Sequence, residues 1–221
     1  MTDIDLDAVR DDYERDGFVV LPGYLSEAEV NELRDHAIPL ADKVMKKEGS
    51  KGRFRNLLKS LHRHDDWFDE QLNEGKHVPL IRYLLNDDIH GASAAWFDRP
   101  EGETQGLDPH VDALGRDKEP DAGATIWFAL DSVNVGNGCL HYLRRSHKNE
   151  YPDEIPIPGI DTESEDAIAV ELEPGDAVIH NALTVHWSGG NSTGRPRRAV
   201  SYFYFSAGYK RHRSDEKRIK R

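Results

Sequence analysis

The sequence predicts a mainly β protein with helices on its N-terminal side and a jelly-roll core of two sheets. Three features point there. Before about residue 90, apolar residues recur at helical spacing, as at Leu6, Val9 and Tyr13. From about residue 91 the pattern changes to short runs rich in β-branched and aromatic residues: GASAAWFD, ATIWFALDSV, CLHYLRR, AIAVELE, DAVIHNALTVHW and RRAVSYFYF. Turn signals at Asn137-Gly138, Pro174-Gly175 and Asn191 to Gly194 divide those runs, as in a double-sheet β fold. No internal repeat is present. At 221 residues the chain is long enough to bury one sizeable core. It reads as a single domain over 1–209, helical to about 90 and jelly-roll over about 91–209, with a basic tail at 210–221.

In chain order, residues 5–16 form a helix for which Gly17 is the stop, and FVVLPGYL is a short strand turning at Pro22-Gly23. Ser26 is a good N-cap, Glu29 completes a capping box, and Leu25 and Val30 sit at hydrophobic-staple positions. Val30, Leu33, Ala37, Ala41 and Val44 share one face of the helix that follows, which Pro39 is expected to kink or interrupt. The basic stretch KKEGSKGRFRNLLKSLHRH reads as a solvated loop and a short helix, or as a rim in which Arg53, Arg55 and Lys59 face an anionic substrate. HVPLIRYLLND is a short amphipathic helix. Residues 150–165, EYPDEIPIPGIDTESE, carry three prolines and many acids, so no regular structure is expected; a lid and a disordered insertion both fit.

Charge and composition exclude several classes. A formal net charge of -12 argues against a nucleic-acid-binding body. The last twelve residues carry seven Lys/Arg against two Asp/Glu, a net of +5, which leaves about -17 for the rest. That tail reads as a solvated terminus, or as a contact for an acidic partner or neighbouring subunit. No apolar run approaches a membrane span, and no apolar targeting region opens the chain. The single cysteine, Cys139, permits no internal disulfide and fits a reducing compartment, so a cytoplasmic location is expected. Its apolar strand makes it a core residue.

The chemistry gathers around Asp108-Pro-His-Val-Asp112. In an extended segment the side chains of His110 and Asp112 leave the same face. With His186 downstream they supply two imidazoles and one carboxylate, the facial triad that holds non-haem Fe(II) and leaves metal positions open. Zn(II) would accept the same ligands. Arg197 stands eleven residues after His186. A guanidinium clamps a carboxylate bidentately, so an inward Arg197 would hold the distal carboxylate of 2-oxoglutarate, with the Ser188 hydroxyl donating to the same group. Arg197 and Arg198 face opposite ways on a strand, and spacing alone leaves the choice between them open. His141, His147 and His180 read as packed or hydrogen-bonded side chains.

The chain resembles the phytanoyl-CoA dioxygenase-like Fe(II)/2-oxoglutarate oxygenases over most of its length. YERDGFVVLPGYLSEAEVNELR, PHVDAL, IWFALDSVNVGNGCLHYLRRSHK and EPGDAVIHNALTVHWSGGNSTGRPRRAV carry the likeness. The resemblance implies a double-stranded β-helix, cupin-like core, Fe(II) on His110, Asp112 and His186, and 2-oxoglutarate held by Arg197, Ser188 and Trp127. It implies dioxygen as second co-substrate and hydroxylation of an unactivated C–H bond of a small molecule, with succinate and CO2 as co-products. Family halogenases lack the carboxylate that Asp112 supplies here. The chain departs from the family at Arg144-Arg145-Ser146-His147, where Pro-Gly-Ser-His is usual. That departure suggests Arg144 or Arg145, with Arg53 or Arg55 opposite, as contacts to an anionic substrate. The expected partner is this small molecule, with neither nucleic acid nor membrane. Two other readings stand beside it: a non-catalytic metal-binding or regulatory member, and a Zn(II) cupin-like hydrolase or isomerase.

Overall fold

Helix α1, Leu6–Asp16, begins where the Asp5 carboxylate accepts the Ala8 N–H and ends at Gly17, whose φ of 85° is left-handed. A side chain there would also collide: a Cβ on Gly17 would lie 2.4 Å from His147 Nδ1. In this computed structural model, residues 4–48, 57–113 and 122–209 are described. Strand β1, Phe18–Leu21, follows at once, then α2, Glu27–Glu48. The capping box forms: Glu29 accepts the Ser26 N–H at 2.7 Å, and Ser26 Oγ accepts the Glu29 N–H at 3.3 Å. Leu25 and Val30 are both buried beside it. The helix continues through Pro39 without the interruption that was one of the two expected outcomes. Ala37, Leu40 and Ala41, on both sides of the proline, are buried in the core, and that packing holds the turn together against the lost hydrogen bond.

Part of the basic stretch is also corrected. Leu57–Lys59 is a strand, β2, and the short helix after it is one 3-10 turn, Leu61–Arg63. Helix α3, Asp66–Glu74, capped by Asp65, escaped the sequence reading; α4 is Val78–Leu85. The remaining strands are β3 (Ile89–Arg99), β4 (Leu107–His110), β5 (Gly123–Ala129), β6 (Leu140–Leu143), β7 (Ala167–Val170), β8 (Ala177–Asn181), β9 (His186–Ser188) and β10 (Arg197–Ser206). The run DAVIHNALTVHW is thus two strands in different sheets, joined by a turn in which the Thr184 N–H donates to Asn181 O.

The fold is the jelly-roll expected from the strand pattern: two antiparallel sheets, ordered β1-β8-β5-β10-β3-β2 and β4-β9-β6-β7. The first ninety residues supply both edge strands of the larger sheet, β1 and β2. Period-2 alternation sorts its side chains. Ile126, Phe128, Val200, Tyr202 and Tyr204 face the helices with Val30, Leu33, Phe68 and Ile81. Trp127, Ala129 and Ala199 face the smaller sheet, packing with Cys139, Leu140 and Tyr142. Cys139 is fully buried there. Residues 150–165 form no helix or strand but are pinned: the Ile157 N–H donates to Pro109 O at 2.9 Å, and Ile157 is buried with Val185 and Trp187. Among the described residues, no helix is long and apolar enough to cross a membrane. The basic tail lies outside them.

Candidate metal centre

Antiparallel pairing of β4 with β9 sets His110 directly opposite His186, with ring centroids 4.3 Å apart. Asp112 follows two residues later, just past the strand, on the same side. The candidate ligand atoms of His110, Asp112 and His186 all lie within 4.8 Å of one another, with His186 Nε2 3.9 Å from Asp112 Oδ1. Backbone carbonyls fix both imidazoles: His110 Nδ1 lies 2.7 Å from Asp108 O, and His186 Nδ1 3.0 Å from Thr184 O. A carbonyl only accepts, so each Nδ1 carries the proton and each Nε2 presents a lone pair. Burial, and then His186, pushes His110 down to about 3; burial, and then His180, brings His186 to about 4. Both rings are therefore neutral and able to bind a metal near pH 7.

The carboxylate is held just as firmly. Its Oδ2 accepts from Thr125 Oγ1 at 2.6 Å and from His180 Nε2 at 3.1 Å, which leaves Oδ1 facing the imidazoles. Thr125 and His180 are cross-strand partners on β5 and β8, so sheet register delivers both donors to one oxygen. With Nε2–H donating, His180 Nδ1 accepts from the Tyr142 hydroxyl at 3.0 Å, and Tyr142 stacks on Phe18 at 4.5 Å. Burial of Asp112, the largest single influence, works against ionisation, but the His180 hydrogen bond and the three surrounding histidines together outweigh it and hold the group well below the ordinary carboxylate range. One neutral pair of imidazoles and one ionised oxygen, with the opposite side open to a cavity, make a donor set suited to a divalent transition metal.

That cavity, of about 410 Å³, is bounded by both sheets. Two arginines line it. Arg197 is only 2% exposed; its Nη2 donates to Gly138 O at 2.7 Å, its guanidinium lies 5.6 Å from the centre of the Trp127 ring, and its buried Nε has no partner. Burial and the neighbouring Arg99 push it down to about 9. Arg99, directly across from it on β3, donates from Nη2 to Ser188 Oγ at 3.1 Å and also has a buried, unpartnered Nε. Among the described residues no carboxylate comes within ion-pair distance of either. Arg198 points the other way, as alternation requires, and grips Asp131 with two bonds of 2.8 Å. The rest of its lining is mostly apolar, with Leu57, Phe97, Ile155, Phe203 and Phe205; among the described residues Lys59 is its one lysine.

The structure thus brings His110, Asp112, His186, Ser188, Arg197 and Trp127 around one space. It does not bring Arg144 and Arg145 there. The turn after β6 folds towards the end of α1, where the Arg145 N–H donates to Asp16 O at 2.9 Å; its guanidinium pairs with Asp166 at 2.7 Å, and Arg144 Nε lies 4.0 Å from Asp16. Both are exposed there and neither lines the cavity, so the substrate contact expected of them is withdrawn. Arg53 and Arg55 lie outside the described residues. His180 is the buried, hydrogen-bonded side chain expected, although its partner Asp112 was not foreseen; Thr125, Tyr142 and Arg99 escaped the sequence reading. Thr125 shares a strand face with Trp127, a signal that was available; Arg99 has no local mark, because a charged residue before Pro100 reads as solvated. His141, stacked on Trp187, and His147, bonded to Glu14 O, are packed residues.

Residues 13–199 match the phytanoyl-CoA dioxygenase (PhyH) family. A probable phytanoyl-CoA dioxygenase of Caenorhabditis elegans is 24% identical over 87% of this chain and 72% of its own length. The crystal structure of the epimerase SnoN, in complex with Fe3+, alpha-ketoglutarate and nogalamycin RO, is 26% identical, covers 91% of this chain and 84% of its own, and has a TM-score of 0.75. EctD from S. alaskensis, at 18% identity and a TM-score of 0.78 over 95% of this chain and 79% of its own, shares the fold.

Proposed function

The chain belongs to the phytanoyl-CoA dioxygenase family, and from that premise we propose that it hydroxylates an unactivated C–H bond of a small, largely apolar molecule. It is an Fe(II)/2-oxoglutarate-dependent oxygenase. Bound iron, 2-oxoglutarate and dioxygen would supply the oxidation: one oxygen atom goes to the C–H bond, the other to succinate, and CO2 is released. The observation that carries the reading is the meeting, in one cavity, of the His110–Asp112–His186 donor set with a buried arginine whose Nε lacks a partner.

In this reading His110 and His186 bind iron through Nε2 and Asp112 through Oδ1. Arg197 holds the distal carboxylate of the co-substrate, with Ser188 beside it and Trp127 against the guanidinium. The unpaired Nε supports this, because a buried cation without a counter-charge is costly unless an anion arrives. The apolar lining, with Leu57, Phe203 and Phe205, takes the substrate and keeps water from the reacting centre. Ile155 adds to that wall from the pinned segment 150–165, which acts as a cover. Lys59 is the feature of this wall that favours an anionic group on the substrate. Work in the cytoplasm accords with the single, buried Cys139.

The test is anaerobic titration with Fe(II) and then 2-oxoglutarate, following the visible charge-transfer band of a chelated keto acid, with succinate release as the activity readout. Wild type should develop the band, Arg197→Met should need far more keto acid, and His110→Ala should show neither band nor turnover. Absence of the band from wild type at saturating iron would overturn the reading, and activity without oxygen or keto acid would point to a Zn(II) enzyme.

A further inference from the structure

Arg99 stands at the last position of β3, and the pairing of β3 with β10 sets it directly opposite Arg197. Like charges opposite each other on neighbouring strands repel. Both guanidiniums have a buried Nε without a partner, and both line the cavity. An anion between the two would relieve the repulsion.

The bond from Arg99 to Ser188 adds a second consequence. Ser188 Oγ accepts from Arg99 Nη2 at 3.1 Å and from the Leu107 N–H at 3.3 Å. A hydroxyl oxygen has two lone pairs, and both are then occupied. Its O–H can only donate, and it must point away from the two incoming hydrogens. Ser188 is 4% exposed and borders the cavity, so an acceptor arriving there meets a hydroxyl already turned into a donor.

We propose that Arg99 is a positioning residue for the co-substrate: it locks Ser188 as an obligate donor and adds a second positive charge at the end of the cavity that receives the distal carboxylate. The proposal rests on the co-substrate reading above. Two cations and one locked hydroxyl around the same anion make selection for a keto acid with a distal carboxylate a property of three residues. Recognition is prearranged, because no rotor must be frozen when the ligand arrives.

The experiment compares 2-oxoglutarate with 2-oxopentanoate, which has the same chain with a methyl group in place of the distal carboxylate. Each is titrated into the Fe(II)-loaded protein under anaerobic conditions. Arg99→Gln should weaken 2-oxoglutarate about 10-fold or more, the scale of one charge-assisted hydrogen bond, and change 2-oxopentanoate less than about twofold. Arg99→Lys, which restores the charge without the fork, should recover part of the loss. In a Ser188→Ala background, Arg99→Gln should cost less than it does alone, because one of its two routes is already gone. Equal weakening of both keto acids would mean that Arg99 only supports the strands, and no weakening of 2-oxoglutarate would mean that it does not act on the co-substrate; either result overturns the proposal. A wild type that binds iron but takes neither keto acid refutes the co-substrate reading itself, and the proposal with it.

Discussion

Replacing Thr125 by valine tests how far sheet register, rather than the ligands themselves, makes the metal centre. The two side chains have nearly the same shape, and valine suits a strand, so β5 should be undisturbed. What disappears is the 2.6 Å hydrogen bond to Asp112 Oδ2, one of two that the oxygen receives. A hydrogen bond to an ionised group contributes about 1.5–3 kcal/mol, and loss of a partner that orients a metal ligand lowers metal affinity about 10- to 100-fold. With His180 left as the sole donor, the carboxylate can swing, and Oδ1 is no longer directed at the two imidazole Nε2 atoms. Anaerobic competition of the protein with a chelator for Fe(II) measures the effect, and urea unfolding of the metal-free proteins checks that the fold is intact. Thr125→Ser, which keeps the hydroxyl, should stay close to wild type. Iron affinity within twofold of wild type in Thr125→Val would refute the reasoning and leave Thr125 as an ordinary strand residue.

Further outcomes follow from the same geometry. Arg144→Ala and Arg145→Ala should leave succinate release and substrate KM unchanged and cost less than about 1 kcal/mol of stability, as exposed ion pairs do; a tenfold rise in substrate KM would return them to the site. His77, buried against Tyr204 with a 2.7 Å bond, is pushed by burial and then Lys76 down to about 3. The unfolded chain therefore takes up that proton first, so the stability it contributes is present above an unfolded value of about 6.5 and lost as pH falls below it. Between pH 7 and 5 wild type should lose about 2 kcal/mol more than His77→Gln, measured by urea midpoints; equal losses would mean that the ring is protonated in the fold. Gly17→Ala forces a Cβ to 2.4 Å from His147 Nδ1 at a φ of 85° and should cost about 1–3 kcal/mol; unchanged thermal unfolding would show that the turn simply rearranges.

Much of the site was legible because its signals are local. His110 and Asp112 are two residues apart, and that spacing projects both to one side of any extended segment. The opposite facing of Arg197 and Arg198 follows from strand periodicity, although only the structure showed Asp131 waiting for Arg198. The capping box at Ser26 and Glu29 was readable for the same reason. Errors arose where a distant surface overrode a local preference. Pro39 breaks a helix in isolation, but the sheet beneath Ala37, Leu40 and Ala41 keeps this one whole. Leu57–Lys59 reads as part of a basic loop until the edge of β3 offers it hydrogen bonds. Arg144 and Arg145 were assigned to the site from a departure in a motif, and the fold of their turn took them to Asp16 and Asp166 instead.

By itself the sequence determined the class of fold, the ligand types and their likeness to a family of oxygenases, because periodicity and short spacings survive in one dimension. Only the tertiary structure decided which side chains act together. Strand register set Arg99 opposite Arg197, Thr125 beside His180 and His110 opposite His186. Register arises from the fit of whole strands to one another, a sum over many side chains far apart in the chain. A residue such as Arg99 therefore carries no local mark of the partner it will meet.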